Sequence, residues 1–188
     1  MDILYTTVQN AQDVRQILEL QAANLQAVIS PETARSQGFL TVRHEPDVLG
    51  RMNQAYPSVI AKDGDRLAGY CLVMPREFAP EVPILAPMFA MLEALSWRGR
   101  PLHAGGWFVM GQVCVAEAYR GQGVFDGMYA KLKKVCCAEF DFVVTEVAER
   151  NARSLRAHER VGFETFHVYP DPTTDEVWHV VALDLPGF

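Results

Sequence analysis

The chain has 188 residues, 49% of them apolar, and a formal net charge of −6. That length and apolar content suit one well-buried domain and leave little room for two. The acidic balance argues against a nucleic-acid binder, which shows a basic face, and no apolar run is long enough to span a bilayer. Cys71, Cys114, Cys136 and Cys137 lack Cys-x-x-Cys spacing, and three of them lie in apolar, regular stretches. Free buried thiols in a reducing cytoplasm fit this better than disulfides or zinc. The opening MDILYTTVQN has no basic region, apolar run or cleavage site, so it is not read as a signal peptide. The expectation is a cytoplasmic protein with no membrane association, no nucleic-acid partner and no metal.

In chain order, Ile3 to Val8 reads as a strand, and Asn10 can cap a helix whose apolar face holds Val14, Ile17, Leu18, Leu25, Val28 and Ile29. Ser30-Pro31-Glu32-Thr33 marks a stop and a new start. A more polar helical piece follows to about Gly38, then an ambiguous Phe39 to Val42, and a further helix over Glu45 to Ala55. Asp63-Gly64-Asp65 between apolar runs at Ser58 to Lys62 and Leu67 to Met74 signals a hairpin. Prolines at 75, 80, 83, 87 and 101 interrupt the pattern over residues 75–105. Within them Leu85 to Trp97 predicts a short apolar helix with Pro87 in its first turn. That stretch fills core, or forms a wall or lid of an acceptor pocket, or a dimer surface.

Trp107 to Val115 is the next strand, with Gly111 in its middle marking a bulge or a close backbone approach. Arg120-Gly121-Gln122-Gly123 then leads into a helix carrying Val124, Met128, Leu132 and Val135 at helical spacing. The first N–H groups of a helix lack internal partners and sit at the positive end of its dipole. Without side chains at 121 and 123 the backbone can approach an anion, and the turn reads as a pyrophosphate cradle. Taken alone a Gly-x-Gly turn is equally a tight strand-to-helix connection. The dinucleotide fingerprint is not met, because the third glycine falls at Gly127, and no Gly-Lys-Ser/Thr occurs. Phe140 to Val147 is a strand, and Asn151 starts a helix to about Arg160 that Gly162 stops. Two strands close the chain, Phe163 to Tyr169 and Val177 to Leu185. The order predicts an α/β (α+β) fold with a mixed, mainly antiparallel central sheet flanked by helices.

Two motifs now stand at a telling separation, with a strand between them: Arg120-Gly121-Gln122-Gly123-Val124-Phe125, and Asn151-Ala152-Arg153-Ser154 continuing to His158 and Gly162-Phe163. In this the chain resembles the GNAT superfamily of N-acetyltransferases over nearly its whole length, most specifically over residues 107–163. Phe125 departs from the small residue that usually ends the first motif. The resemblance implies one GNAT domain over residues 1–188, with an insertion at about 75–105, and splayed strands that bind an acyl-CoA. Acetyl-CoA is the implied co-substrate. Backbone groups of Val113, Cys114 and Val115 would hold the pantetheine arm like an added strand, and the N–H groups of Gly121, Gln122, Gly123, Val124 and Phe125 the pyrophosphate. Arg120 is open between a charge-assisted phosphate contact and a solvated turn residue. Asn151 and Ser154, from the second motif, fall beside the arm; Asn151 is also an ordinary helix cap.

The implied reaction is direct attack of an acceptor amine on acetyl-CoA in a ternary complex. A lysine-like amine costs roughly 4–5 kcal/mol to deprotonate at pH 7, so a base is useful. Glu146 is the first choice, with Glu77 and His103 behind it; Gln112 can orient an acceptor but cannot be a base. Relatives often place a tyrosine proton donor where His158 stands, so His158 is open between general acid and a packing residue. Cys114 reads as a small core residue rather than a nucleophile. The expected acceptor is the amine of a small molecule or a peptide, and dimerisation is common among relatives. The competing reading is a non-catalytic or weakly catalytic acyl-CoA-binding or interaction module of the same fold, kept open by the missing carboxylate near Gln112 and the histidine at 158.

Overall fold

The computed structural model describes residues 2–25, 27–30, 32, 39–172 and 175–185. Strand β1 (Leu4–Thr7) leads to helix α1 (Ala11–Ala23). The side chain of Asn10 caps that helix, accepting from the amides of Gln12 and Asp13. Asp13 in turn accepts from the Gln9 amide and from Lys62 Nζ at 2.8 Å, tying the helix start to the sheet. α1 ends sooner than its apolar spacing predicts. Leu25 is taken by a bridge to Leu40, with the Leu40 amide on the Asn24 carbonyl at 3.0 Å, and Val28 is 66% exposed. The polar helix expected next lies outside the described residues apart from Glu32.

Helix α2 (Pro46–Ala55) starts on a proline whose missing N–H would be unpaired there anyway. The hairpin of β2 (Val59–Asp63) and β3 (Arg66–Met74) falls where Asp-Gly signals it. Residues 75–105 fold as single turns, helix α3 (Ala86–Glu93) and a small hairpin of β4 (Ser96–Trp97) and β5 (Arg100–Pro101). Trp97, expected at the end of a helix, sits instead on that hairpin. Its indole N–H and the Arg100 guanidinium both donate to Asp184 Oδ1, at 2.9 and 2.8 Å. Then come β6 (Trp107–Val115), helix α4 (Val124–Cys136), β7 (Phe142–Ala148), helix α5 (Ala152–Val161), β8 (Glu164–Asp171) and β9 (Glu176–Asp184). Gly162, at φ +105°, stops α5 as expected.

The seven-stranded sheet runs β1-β2-β3-β6-β7-β9-β8. Only β6 and β7 are parallel; the other neighbours are antiparallel. One face packs Cys71, Val73, Phe108, Met110 and Val143 against α4. The other packs Tyr70, Leu72, Trp107, Val109 and Val144 against α1, α2 and α3. Gly111 breaks this alternation. Leu72 pairs with Gln112 and Val73 with Met110, so Gly111 is an extra residue, a bulge. Before it, odd-numbered side chains of β6 face α2 and α3; after it, even-numbered Gln112 and Cys114 face α1. A side chain at 111 would press on Met74 Cβ at 3.2 Å. Among the described residues no helix is long and apolar enough to cross a membrane.

Candidate active site

β6 and β7 pair only from Trp107 to Val109 against Phe142 to Val144, and then diverge. In the gap the Thr145 hydroxyl donates to the Met110 carbonyl at 3.0 Å, closing the apex of the wedge. Beyond that apex the edge of β6 faces a cleft rather than a strand. Diverging parallel strands leave main-chain groups that an extended amide-bearing ligand can pair with.

At the mouth of the wedge stands the start of α4. Gly121 and Gly123 have φ of +74° and +79°, a backbone region that side chains rarely adopt. A Cβ at either would meet nothing within 4 Å, so protein packing does not demand glycine there. Backbone conformation and open approach do. Gly123 is the N-cap and supplies no capping side chain; the Gly127 amide is the first to bond back, onto the Gly123 carbonyl at 3.0 Å. The amides ahead of it form the unpaired start of the helix. They face a cleft of about 450 Å³, walled on one side by Val113, Cys114 and Val115 and on the other by α5. Asn151 and Ser154 line it too, so this space joins the turn, the strand edge and the second motif. A diphosphate with an extended arm fits that combination of donors and shape.

Arg120 is not the solvated turn residue of one expectation. Its Nε donates to the Val115 carbonyl at 3.0 Å and a terminal nitrogen to Asn24 Oδ1 at 2.7 Å. It fastens the end of β6 to the end of α1 and so sets the shape of the turn. Gln122 donates to the Ala118 carbonyl at 2.8 Å and braces the same loop. The Phe125 ring turns in between the helices, 4.9 Å from Tyr129 and 5.3 Å from His158, leaving its amide at the cleft. Sequence reading missed Asp126 and Arg160. They meet across α4 and α5 at 2.7 Å and both line the cleft. Residues on separate helices carry no local signal of that pairing.

A smaller cleft of about 90 Å³ adjoins the first, sharing Phe39, Leu40, Val113, Asn151 and Ser154 with it. Glu146 and His158 both line it, together with Gln112, Thr41 and Trp178. Burial pushes the Glu146 carboxyl up to about 7; a hydrogen bond from Tyr169 at 2.8 Å opposes the rise, and Asp171 adds to it. A carboxyl so placed exchanges its proton near neutrality. Tyr169 was not foreseen, since it lies on a strand separated from β7 by β9.

His158 is 2% exposed, and burial drives its ring down to about 4, against a hydrogen bond with Ser154. Its Nδ1 is 2.8 Å from the Ser154 carbonyl, which can only accept, so that nitrogen carries the proton. Nε2 then accepts from the Tyr129 hydroxyl at 3.0 Å. Both ring nitrogens are committed, and the one proton of the neutral ring is held on the Ser154 carbonyl. The acid role expected of His158 therefore finds no support in this geometry; the ring serves as a link between α4 and α5. Burial raises the Cys114 thiol to about 12, consistent with a core residue that forms no thiolate. Neither cleft takes a wall from residues 75–105. That segment packs on Trp107 and Phe142 at the closed end of the wedge, the core-filling outcome rather than the lid.

The fold and cleft define a mixed α/β architecture whose parallel strands splay over an open cleft. A profile described as the acetyltransferase (GNAT) family matches residues 24–163, and the chain belongs to that family. No curated protein sequence matches it. Among solved structures it is similar to a Salmonella typhimurium protein described as an acetyltransferase with its cofactor acetyl-CoA, at 14% identity and a TM-score of 0.64, covering 99% of this chain and 95% of that one. An N-acetyltransferase from Staphylococcus aureus Mu50 is 13% identical, with a TM-score of 0.63 and coverage of 99% and 100%. A chain of the NatC complex bound to Gag peptide and CoA is 16% identical, with a TM-score of 0.65 and coverage of 99% and 100%.

Proposed function

We propose that this protein transfers the acetyl group of acetyl-CoA to the amine of a small molecule or peptide, by direct attack in a ternary complex, and that residues 1–188 act as one catalytic domain. The observation that carries this reading is the junction of the two clefts. A carboxyl tuned to about 7 sits in one, and the strand edge and helix start suited to a coenzyme form the other. In this reading the amides of Gly121, Gln122, Gly123, Val124 and Phe125 hold the pyrophosphate. The Val113–Val115 edge holds the arm, with Asn151 and Ser154 closing the far side. Arg120 acts by holding the loop.

Glu146 accepts a proton from the acceptor, directly or through a water, leaving a neutral amine. As the C–N bond forms and the C–S bond breaks, the amine's remaining extra proton passes to solvent, or to Glu146 once that carboxyl has released the first proton to solvent. The coenzyme leaves as a thiolate and is protonated by water; thiols have pKa values near 8.5, so full protonation before departure is not required. No acyl-enzyme is needed, in keeping with the buried Cys114 thiol. The test is release of free thiol from acetyl-CoA with a panel of amines, alongside calorimetric titration of the coenzyme. Thiol release that depends on an amine is the expected result. Coenzyme binding without turnover on any amine would favour the binding-module reading, and no binding at millimolar coenzyme would end both.

A further inference from the structure

We infer that Gln112 is a fixed N–H donor at the acceptor cleft, selecting amines that carry a neutral carbonyl on the neighbouring carbon. This rests on the acetyltransferase reading and names the acceptor class for the same site. The shared chemistry is that of a peptide N-terminus or an amino-acid amide.

The orientation of the Gln112 amide is decided by backbone groups at both ends of a buried chain of hydrogen bonds. At one end the His44 amide donates to Gln21 Oε1 at 2.8 Å. An amide N–H can only donate, so the opposite corner of the Gln21 side chain is its nitrogen. That nitrogen reaches His44 Nδ1 at 2.9 Å and Gln112 Oε1 at 2.8 Å. At the other end Gln112 Nε2 donates to the Val42 carbonyl, which can only accept. Tyr70 adds a second donor to Gln112 Oε1 at 3.0 Å. Flipping Gln112 would set oxygen against the Val42 carbonyl and nitrogen against the Gln21 nitrogen, so the two ends agree on one orientation. Gln112 Oε1 is thus occupied twice and one N–H is spent on Val42. The second N–H is what Gln112 has left to offer the cleft it lines.

Gln21, His44 and Tyr70 are at most 2% exposed, so water does not compete within the chain. Because His44 Nδ1 accepts, its proton lies on Nε2, a buried atom with no partner among the described residues. A buried unpaired donor weakens the fold. The network is therefore not simply the most stable way to fill this space, and the group it fixes is the one at the cleft. The parity change at Gly111 turns Gln112 towards this network.

The lining of the smaller cleft has the Glu146 carboxyl and no Lys or Arg among the described residues. A free amino acid would bring a carboxylate towards Glu146 with no Lys or Arg in the described lining of this cleft to offset it. A neutral carbonyl suits the Gln112 donor without that repulsion.

The experiment measures binding of leucinamide, isoamylamine and free leucine to the wild-type protein saturated with CoA, which has no acetyl group to transfer. Leucinamide is expected to bind at least about tenfold tighter than isoamylamine, with free leucine no better than isoamylamine. In Gln112→Leu the leucinamide-to-isoamylamine ratio should fall close to one; comparing ratios between proteins cancels the different basicities of the amines. Tyr70→Phe, which loosens the amide but keeps its N–H, should lower the ratio partway, with the thermal midpoint reporting the fold. A leucine-initiated tripeptide amide binding tighter than leucinamide identifies a peptide source, and equal binding a small-molecule source. A wild-type ratio within about twofold of one overturns the inference, as does an undiminished preference in folded Gln112→Leu. If Gln112→Leu does not fold, the wild-type and Tyr70→Phe ratios decide. Carbonyl-blind binding would leave the acetyltransferase reading standing, whereas failure to bind CoA at all would remove both.

Discussion

Tyr169 reaches over β9 to donate its hydroxyl to Glu146 Oε1 across 2.8 Å. Tyr169 pairs with Trp178, and Trp178 with Ala148, so the phenol stands level with the end of β7. The bond favours the carboxylate while burial favours the acid, and the balance leaves Glu146 titrating at about 7. Two strands apart in space and 23 residues apart in sequence, the pair sets the proton affinity of the proposed base.

Removing the carboxyl should therefore remove the pH dependence with it. Glu146→Gln is expected to lower kcat by on the order of a hundredfold to ten-thousandfold and to abolish the acidic limb of the rate profile centred near 7. Tyr169→Phe deletes a donor that supports the charged form. Its acidic limb should move to higher pH while the plateau rate is largely kept. Initial rates between pH 5 and 9 check both; an unmoved limb in Tyr169→Phe would assign it to another group.

The same carboxyl carries a stability signature of opposite sign. Its folded-state value of about 7 lies above the ordinary 4.5, so the folded chain holds a proton that the unfolded chain has released in between. The associated stability is present in full below about 4.5 and is lost as pH rises through about 7. Above that range the wild type holds a buried charge that Glu146→Gln lacks. The variant should be the more stable protein at pH 8, by up to roughly 3 kcal/mol, and no more stable at pH 4. Denaturant titrations at the two pH values measure the difference.

Gly123 and Gly127 lie one helical turn apart and should fail in different ways. A methyl at 123 has open space before it but a backbone at φ +79°, and it would stand at the face of the proposed cradle. Gly123→Ala is expected to raise KM for acetyl-CoA about tenfold or more, with roughly 1–2 kcal/mol lost in stability. A Cβ at 127 would collide with the Tyr5 ring, which lies across α4. Gly127→Ala should lose about 1–3 kcal/mol from overpacking, with KM little changed in the folded fraction, and adding Tyr5→Ala should recover part of it. KM and melting temperature measured on both variants separate the two glycines.

That contrast also shows what the sequence could tell. The turn at Gly121 and Gly123, the Gly111 bulge, the Asn10 and Asn151 caps and the Gly162 stop rest on local backbone chemistry, and each stood where local rules put it. The strand order is not legible in that succession, because the last strand, β9, lies between β7 and β8. What stayed hidden joins distant segments. Tyr169 with Glu146, Asp126 with Arg160, and Gln21 with Gln112 meet only once the sheet is assembled. His158 is the instructive case: its place beside the cleft was legible, but its proton is decided by Tyr129 and the Ser154 carbonyl. The apolar run of residues 85–97 read as a helix through Trp97 because periodicity cannot register the pull of Asp184 on the indole.

Arg120 offers a test in which charge and geometry give opposite answers. As a phosphate ligand it would act through its positive charge, and Lys would largely replace it. As a fastener it needs two nitrogens in a fixed fork, one on the Val115 carbonyl and one on Asn24. Lys can satisfy only one of these at a time. Arg120→Lys and Arg120→Ala should therefore raise KM for acetyl-CoA by similar factors, about five- to thirtyfold, the worth of roughly 1–2 kcal/mol of lost hydrogen bonding. Asn24→Ala, which leaves every charge in place, should reproduce part of the effect. Salt gives an independent check, because a rise caused by lost phosphate attraction would shrink at high ionic strength, while one caused by a slackened loop should persist. Steady-state KM for the three variants at low and high salt decides between the two, and a Lys variant indistinguishable from wild type would return Arg120 to the phosphates.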